Sequence, residues 1–183
     1  MTSRRTFLAT LAGGILAAPL AARADTGLRL GLEANVATHD DAGTHWISDN
    51  WPFAGNVMLS YWTPGSYLSF DLELAEQFFL NAPAGASSRI GTVVRPGVRL
   101  TPPLLPIYIR GALPINVETA TGSRELLDAR LGVGVNIPLV LFKVYLEADA
   151  DFPLTSKDTG TGSHISAFNY QAFYVGGGLD FRF

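Results

Sequence analysis

A histidine and a serine stand two residues apart before the last segment of the chain, at His164 and Ser166. Such a pair can supply the base and the nucleophile of a hydrolase when a carboxylate orients the imidazole. Ala167 follows the serine, no glutamate occurs after it, and Asp180 is the last acidic residue. The residue alternation described below places Asp180 most of a strand away from Ser166. His164 and Ser166 are therefore the best catalytic candidates, but we predict that the protein is not an enzyme.

The other two histidines, His39 and His45, flank Asp40 and Asp41. Imidazoles and carboxylates in one short stretch can bind a divalent metal. Their spacing matches no established ligand pattern, and the sequence contains no phosphate-binding glycine loop and no zinc motif. We interpret the stretch as a solvated loop and predict neither a metal nor a cofactor.

A third set of charged residues has no catalytic spacing but occupies one face of alternating segments. The set comprises Arg29, Arg95, Arg99, Arg110, Arg130 and Lys143 with Glu33, Asp71, Glu73, Asp128, Glu147 and Asp149. Buried charges are tolerated when they are paired and hydrogen-bonded, and here both signs are present in equal numbers. We predict that these side chains form a charge network in the interior of the fold.

Eight segments alternate between apolar and polar residues, and a period of two predicts β-strands with unlike faces. The segments are Leu28–Val36, Phe53–Trp62, Tyr67–Phe79, Arg89–Leu100, Leu105–Val117, Leu127–Ile137, Val140–Phe152 and Ala167–Phe183. In the last segment, Val175 and Phe181 share a face, and Asp180 lies on the opposite one. The sequence therefore predicts an all-β protein with eight two-faced strands.

Three residues interrupt this alternation. Glu76 stands where an apolar residue is expected, which indicates a bulge or the boundary of a membrane. Pro96 and Pro114 lie inside two segments, where each removes a ladder hydrogen bond, so we expect a bulge or distortion near each.

The links between the segments are alternately short and long. The short links are Thr63–Ser66, Thr101–Leu104 and Pro138–Leu139, and the long polar links are Thr38–Pro52, Asn81–Ser88, Glu118–Leu126 and Pro153–Ser166. Tight turns at one end and long loops at the other are the layout of a transmembrane barrel whose long loops are extracellular. The sequence thus predicts an antiparallel up-and-down arrangement.

The first 24 residues have the features of a cleavable export signal. Arg4 and Arg5 begin it, an apolar run follows, and Ala22 and Ala24 are small enough for signal peptidase. We expect residues 1–24 to be removed and residues 25–183 to form the domain. The two arginines also match a twin-arginine motif, so the general secretory and the twin-arginine routes both remain open.

The composition excludes several classes of protein. A formal net charge of −3 with no basic cluster argues against nucleic-acid binding. The chain has no cysteine, so disulfides cannot stabilise it after export. Outside the export signal no run of about 18 apolar residues occurs, which excludes a membrane helix. A hydrophobic fraction of 48% with 16% charged residues suits a domain in contact with lipid.

Eight two-faced strands can close into a barrel in two ways. An apolar interior gives a soluble periplasmic barrel that binds an apolar ligand, as lipocalins do, whereas an apolar exterior gives a membrane barrel. Glycines share the charged face, at Gly31, Gly91, Gly97, Gly132, Gly134, Gly176 and Gly178. Small residues fit a narrow interior crowded by long side chains, so we predict the membrane barrel. The soluble barrel remains the alternative, and a twin-arginine route, which carries folded cargo, would favour it.

The last segment ends on an aromatic residue, Phe183, with Phe181 two residues before it. With its eight amphipathic segments, the chain resembles the small eight-stranded outer-membrane proteins: the OmpX type, the membrane domain of OmpA and the opacity-type surface proteins. The resemblance implies a transmembrane barrel in the outer membrane of a Gram-negative bacterium. It also implies that the barrel-assembly machinery reads Phe181 and Phe183 as an assembly signal.

The resemblance carries expectations about function. It implies contact with outer-membrane lipid and lipopolysaccharide, no nucleic-acid partner and a monomeric state. Because side chains fill so narrow a barrel, we expect no open pore but a structural or surface-interaction role through the extracellular loops. Some barrels of this size are lipid A deacylases with a His-x-Ser pair and an acidic partner. That acid is missing after Ser166, so a lipid A-modifying hydrolase is only a second alternative.

Overall fold

The computed structural model describes residues 27–49, 51–63, 67–82, 84–85, 87–102, 105–119, 127–154, 157–158, 164–165 and 170–182. The strands in these residues are β1 Gly27–Asp40, β2 Gly43–Trp46, β3 Ala54–Thr63, β4 Leu68–Phe79, β5 Arg89–Leu100, β6 Ile107–Ala112, β7 Ile115–Thr119, β8 Asp128–Pro138, β9 Lys143–Pro153, β10 Lys157–Asp158, β11 His164–Ile165 and β12 Gln171–Arg182. No helix in the described part of the chain is long and apolar enough to cross a membrane. The predicted export signal lies outside the described residues.

The sheet closes on itself, because β1 pairs with β3 on one side and with β12 on the other. The order around the barrel is β1, β3, β4, β5, β6 with β7, β8, β9 and β12, all in antiparallel pairs. When β6 and β7 are counted as one interrupted strand, the described residues form eight barrel strands. The predicted eight-stranded up-and-down barrel is confirmed.

Apolar side chains cover the outside of the barrel, and charged ones fill its lumen. Val133 and Leu146 expose 55% and 52% of their surface, whereas Arg95 and Arg130 expose 0% and 1%. A soluble barrel with an apolar ligand cavity requires the opposite arrangement. The lipocalin-like alternative is therefore wrong, and the arrangement is that of a barrel surrounded by lipid.

The two prolines lie next to each other at an interruption of the sheet. The strand predicted over Leu105–Val117 is divided at Leu113 and Pro114 into β6 and β7. Strand β5 continues through Pro96, whose carbonyl accepts a hydrogen bond from Leu113 N at 2.9 Å. In an antiparallel pair the N–H and C=O of one residue face the same neighbour, so the donor that Pro96 lacks points at the division. The distortion expected near Pro114 is present, and the β5–β7 pairing also shifts between Thr92 and Val93, three residues before Pro96.

The first long link is partly a hairpin and not a solvated loop. Strand β1 continues to Asp40, and β2 folds back along it so that Trp46 pairs with Ala37. Asp40 Oδ1 accepts a hydrogen bond from Ala42 N at 2.8 Å, and Gly43 has a φ of 127°. An aspartate that binds the backbone two residues on, followed by a glycine with positive φ, makes a tight turn. The prediction of a loop over Thr38–Pro52 was therefore wrong for the residues of the β1–β2 hairpin. The link predicted over Pro153–Ser166 likewise contains two short strands, β10 and β11.

A register shift near Glu76 changes the face of the barrel to which the neighbouring side chains point. Strand β4 continues through Glu76, and its pairing with β5 shifts between Gln77 and Phe78. Glu76 stays on the outer face, where it bonds to Arg89 and accepts a hydrogen bond from Thr92 Oγ1 at 2.7 Å. An unbroken period of two from Arg95 would place Arg89 on the lumen face, but the shift turns Arg89 toward Glu76.

Candidate functional site

The charged lumen is the main polar feature of the described residues, and the barrel strands bring its parts together. Of the predicted network, the buried members are Arg29, Glu33, Asp71, Glu73, Arg95, Arg99, Arg110, Asp128, Arg130, Glu147 and Asp149. Lys143 is half-buried at the start of β9, where it pairs with Asp180 in the ladder. We call the end with the links β3–β4, β5–β6 and β8–β9 the turn end, and the other the loop end.

Near the loop end, Arg130 holds two carboxylates at once. Its Nε and Nη2 donate to the two oxygens of Asp151 at 2.5 and 2.7 Å, and its Nη1 lies 2.8 Å from Glu33 Oε2. Asn56 Nδ2 donates to Glu33 Oε1 at 2.5 Å, and the guanidinium lies over the ring of Tyr174 at 4.9 Å. A two-pronged contact between arginine and carboxylate is the geometry in which such a pair is strongest.

In the middle of the lumen, Glu73 and Asp71 of β4 receive arginines from two other strands. Arg95 Nη1 lies 2.8 Å from Glu73 Oε1, and Ser60 Oγ donates to Glu73 Oε2 at 2.9 Å. Arg110 Nε lies 2.7 Å from Asp71 Oδ2, and its Nη1 lies 3.4 Å from Glu73 Oε2. Each carboxylate thus has a cation within hydrogen-bonding range, which offsets the cost of removing it from water.

Toward the turn end, Arg29 is held from several sides. Its Nη1 lies 3.3 Å from Glu147 Oε2, and its Nη2 lies 3.1 Å from Asp180 Oδ2. The Arg29 guanidinium stacks 3.8 Å from the centre of the Tyr145 ring, a cation–π contact. Trp62 Nε1 donates to Asp180 Oδ1 at 3.1 Å. Burial between aromatic rings and carboxylates fixes this arginine in one orientation.

These contacts join into one network along the lumen. Five arginines and six acids are connected by ion pairs, namely Arg29, Arg95, Arg99, Arg110 and Arg130 with Glu33, Asp71, Glu73, Glu147, Asp151 and Asp180. Asp151 and Asp180 were not predicted as members, although the period of two places both on the same face. Tyr108 was also missed: its hydroxyl donates to Glu147 and accepts from Arg29 Nη1 at 3.0 Å. The signal for all three was their position in the alternation.

Glycines make room for the large side chains of the lumen. A Cβ atom built on Gly134 would overlap the ring of Tyr108, which is fully buried and pairs with Gly134 in the ladder. Gly111 lies on β6, the strand that contains Tyr108. There, the nearest atom to an added Cβ is Val98 Cγ2 at 3.9 Å. The absence of a side chain is therefore required at Gly134 and not at Gly111.

We expect Gly134→Ala to lower the free energy of unfolding by about 1–3 kcal/mol, the usual cost of overpacking a filled interior. The added methyl group displaces Tyr108 and with it the hydrogen bond to Glu147. Urea unfolding of the protein in lipid vesicles measures the change. Gly111→Ala is the matched control, and we expect it to stay within about 0.5 kcal/mol of the parent. Equal losses in both variants would contradict the packing argument.

Of the two catalytic candidates, only the backbone of His164 lies in the described part of the chain. His164 pairs through its backbone with Asp158 in the β10–β11 hairpin, and Ser166 lies outside the described residues. Asp180, the last acid, is held in the lumen by Arg29.

In the first hairpin, His45 stacks on Trp51 with ring centres 4.0 Å apart, and its Nε2 lies 3.4 Å from Asp40 Oδ1. The Nδ1 atom of His39 lies 2.9 Å from Thr44 Oγ1. Among the described residues, no three histidines or carboxylates are placed to hold a metal ion. Of the proposed assembly signal, Phe181 lies 6.0 Å from Phe142 between ring centres, and Phe183 is outside the described residues.

Comparisons with known proteins found solved structures that this chain resembles. The crystal structure of Neisserial surface protein A matches with a TM-score of 0.53 at 10% sequence identity, over 86% of this chain and 97% of that one. The solid-state NMR structure of the outer membrane protein AlkL in DMPC lipid bilayers matches with a TM-score of 0.44 at 12% identity, over 87% of this chain and 90% of that one. No family model and no curated protein matches the sequence. The chain therefore has the fold of the small eight-stranded outer-membrane β-barrel proteins.

Proposed function

We propose that the protein is a closed, non-enzymatic barrel of the outer membrane, which conducts no solutes and acts through its extracellular loop end. The observation that carries this proposal is the position of Glu33 in the lumen. Glu33 belongs to β1, and it receives Arg95 from β5 at 3.0 Å and Arg130 from β8 at 2.8 Å. Two strands around the barrel separate β1 from each of these partners, β3 and β4 on one side and β12 and β9 on the other. Side chains from three sides thus meet across the lumen and close it.

The membrane location rests on the surface of the barrel. The exposed residues of its outer face are aliphatic on every side, for example Leu32 on β1, Leu72 on β4, Ile109 on β6 and Val175 on β12. In water, a continuous apolar surface of this kind would drive aggregation, whereas a bilayer solvates it. We include in the proposal a monomeric state, contacts with outer-membrane lipid and lipopolysaccharide, and insertion by the barrel-assembly machinery.

The proposal predicts that the protein, folded into a planar bilayer, produces no stepwise ion conductance. The physical reason is that the arginines and carboxylates of the lumen are held by one another, so a permeating ion would have to break several buried ion pairs. Conductance recorded with an open porin in the same bilayer is the reference. Steady, ion-selective steps from this protein would overturn the closed lumen.

A variant that lacks residues 39–47 tests the role of the loop end independently of the role of the lumen. Conductance should remain absent, because the network and not the β1–β2 hairpin closes the lumen. We expect cells that carry the trimmed variant to behave like cells without the protein, although the barrel still folds. Full replacement of the protein by the trimmed variant would argue against a role for this hairpin.

A further inference from the structure

The turn between β8 and β9 presents an apolar tip that projects from the barrel. Leu139, Val140 and Leu141 expose 51%, 99% and 84% of their surface, and a hydrogen bond from Leu139 N to Phe142 O at 2.8 Å closes the turn. Turns at this end of a membrane barrel are short and face the periplasm, where polar residues are expected. Three consecutive exposed aliphatic side chains therefore call for a physical explanation.

The apolar surface around this tip continues onto the neighbouring strands. Leu105, just before β6, exposes 52%, and Ile137 at the end of β8 exposes 47%. Because β6 pairs with β8 and β8 with β9, these residues adjoin the tip. On the other side of the barrel, the β3–β4 link Thr63-Pro64-Gly65-Ser66 contains no large apolar residue, and the exposed Tyr67 and Leu68 come only after it in the sequence.

Exposure of such a tip to water is costly. Burial of a valine or leucine side chain in an apolar environment is favourable relative to leaving it in water. Contiguous exposed apolar residues usually mark a surface that contacts a partner or a membrane. The tip and the adjoining Leu105 and Ile137 thus require an apolar neighbour.

The occupant follows from the continuity of this surface with the lipid-facing wall. From Leu131 to Phe142 the sequence contains no charged residue, and Leu131, Val133 and Ile137 all face outward. Strands β8 and β9 contain 11 residues each. At about 3.3 Å per residue and a tilt of about 45°, a strand of this length rises about 26 Å, close to the apolar band of about 25 Å in such barrels. Strands of this length therefore span the hydrocarbon and extend the apolar outer face as far as the β8–β9 turn.

We propose that the Leu139-Val140-Leu141 tip inserts into the lipid of the periplasmic leaflet, so that the barrel is seated deeper on the β6–β8–β9 side than on the β3–β4 side. This inference rests on the membrane location in the proposed function. Lipid is the partner because the apolar surface reaches the tip without a polar rim. A protein partner would instead meet a patch bounded by polar residues.

The absence of cysteine from the chain allows a direct test with single-cysteine variants. A polarity-sensitive fluorophore is attached to Val140→Cys, to Thr63→Cys and to Leu146→Cys, and each protein is folded into vesicles of palmitoyl-oleoyl-phosphatidylcholine. Quenching by spin-labelled lipid is compared with quenching by iodide present on both sides of the membrane. We expect the ratio of lipid quenching to iodide quenching at position 140 to be several-fold higher than at position 63.

Position 146, in the outer wall, distinguishes the two possible failures. Strong lipid quenching at 146 together with iodide quenching at 140 would overturn the inserted tip and leave the membrane barrel intact. Iodide quenching at both positions would overturn the membrane location itself. If the fluorophore at 140 perturbs folding, the emission of Val140→Trp under the same two quenchers provides the second measurement.

Discussion

Arg130→Met should lower the free energy of unfolding by about 3–5 kcal/mol, the cost typical of removing one partner from a buried ion pair. The methionine retains the length and apolar stem of the side chain but removes all contacts to Glu33 and Asp151. Both carboxylates are buried, and Asp151 receives two hydrogen bonds from this arginine at 2.5 and 2.7 Å. Their charges would then lie in the lumen with less compensation.

Urea unfolding in lipid vesicles, followed by the mobility of unheated samples on gels, measures this loss. Arg89→Met is the matched control, because Arg89 pairs with Glu76 on the outer face and exposes 36% of its side chain. An ion pair with that exposure contributes less than about 1 kcal/mol. If the two variants lose the same stability, the lumen network does not hold the barrel together in the way that its geometry indicates.

The contrast between the apolar outer face and the charged inner face of the barrel also fixes the register of the strands. A slip by one residue would turn every side chain of a strand to the opposite face. For β5 such a slip would move Arg95, which lies in the middle of the lumen, into lipid and would turn Val94 into the charged lumen. An arginine at the middle of the bilayer costs about 2–4 kcal/mol, so each strand with a lumen arginine resists a slip on its own.

The same contrast explains how much could be predicted from the sequence. Whether Arg130 and Glu33 face the lumen depends only on the period of two, and that period is visible in the residues. Which arginine meets which acid is not visible in this way. Glu33 meets Arg95 and Arg130 because closure of the barrel places these three side chains at the same height along its axis. That height depends on the register of all the strands.

Local departures from the period were predicted only in part. Glu76 indicated a bulge, and the pairing does shift between Gln77 and Phe78, but no residue type nearby indicates that this shift turns Arg89 outward. The hairpin after Asp40 was predicted as a loop because its two arms are short and polar. Asp40 and Gly43 do carry a turn signal, a side chain that binds the backbone and a positive φ. A search for that turn would have found the hairpin.

Val133→Arg should lower the free energy of unfolding in vesicles by about 2–4 kcal/mol, the cost of an arginine on the lipid face at the middle of the bilayer. Val133 is the sixth of the 11 residues of β8, and its side chain is 55% exposed on the outer face. In a soluble barrel the same change would place a charge in water and cost almost nothing. The variant therefore tests whether lipid surrounds the barrel.

Val133→Leu is the control, since it changes the volume at the same position and leaves the face apolar. We expect its stability to stay within about 0.5 kcal/mol of the parent, because an exposed position has no packed neighbours to displace. The decisive comparison is the difference between the two variants in vesicles of increasing acyl-chain length. That difference should grow as the bilayer thickens, because the arginine side chain at position 133 then lies farther from the lipid headgroups. A difference that stays near zero in every vesicle would mean that Val133 faces water and that the outer wall of the barrel is not its membrane surface.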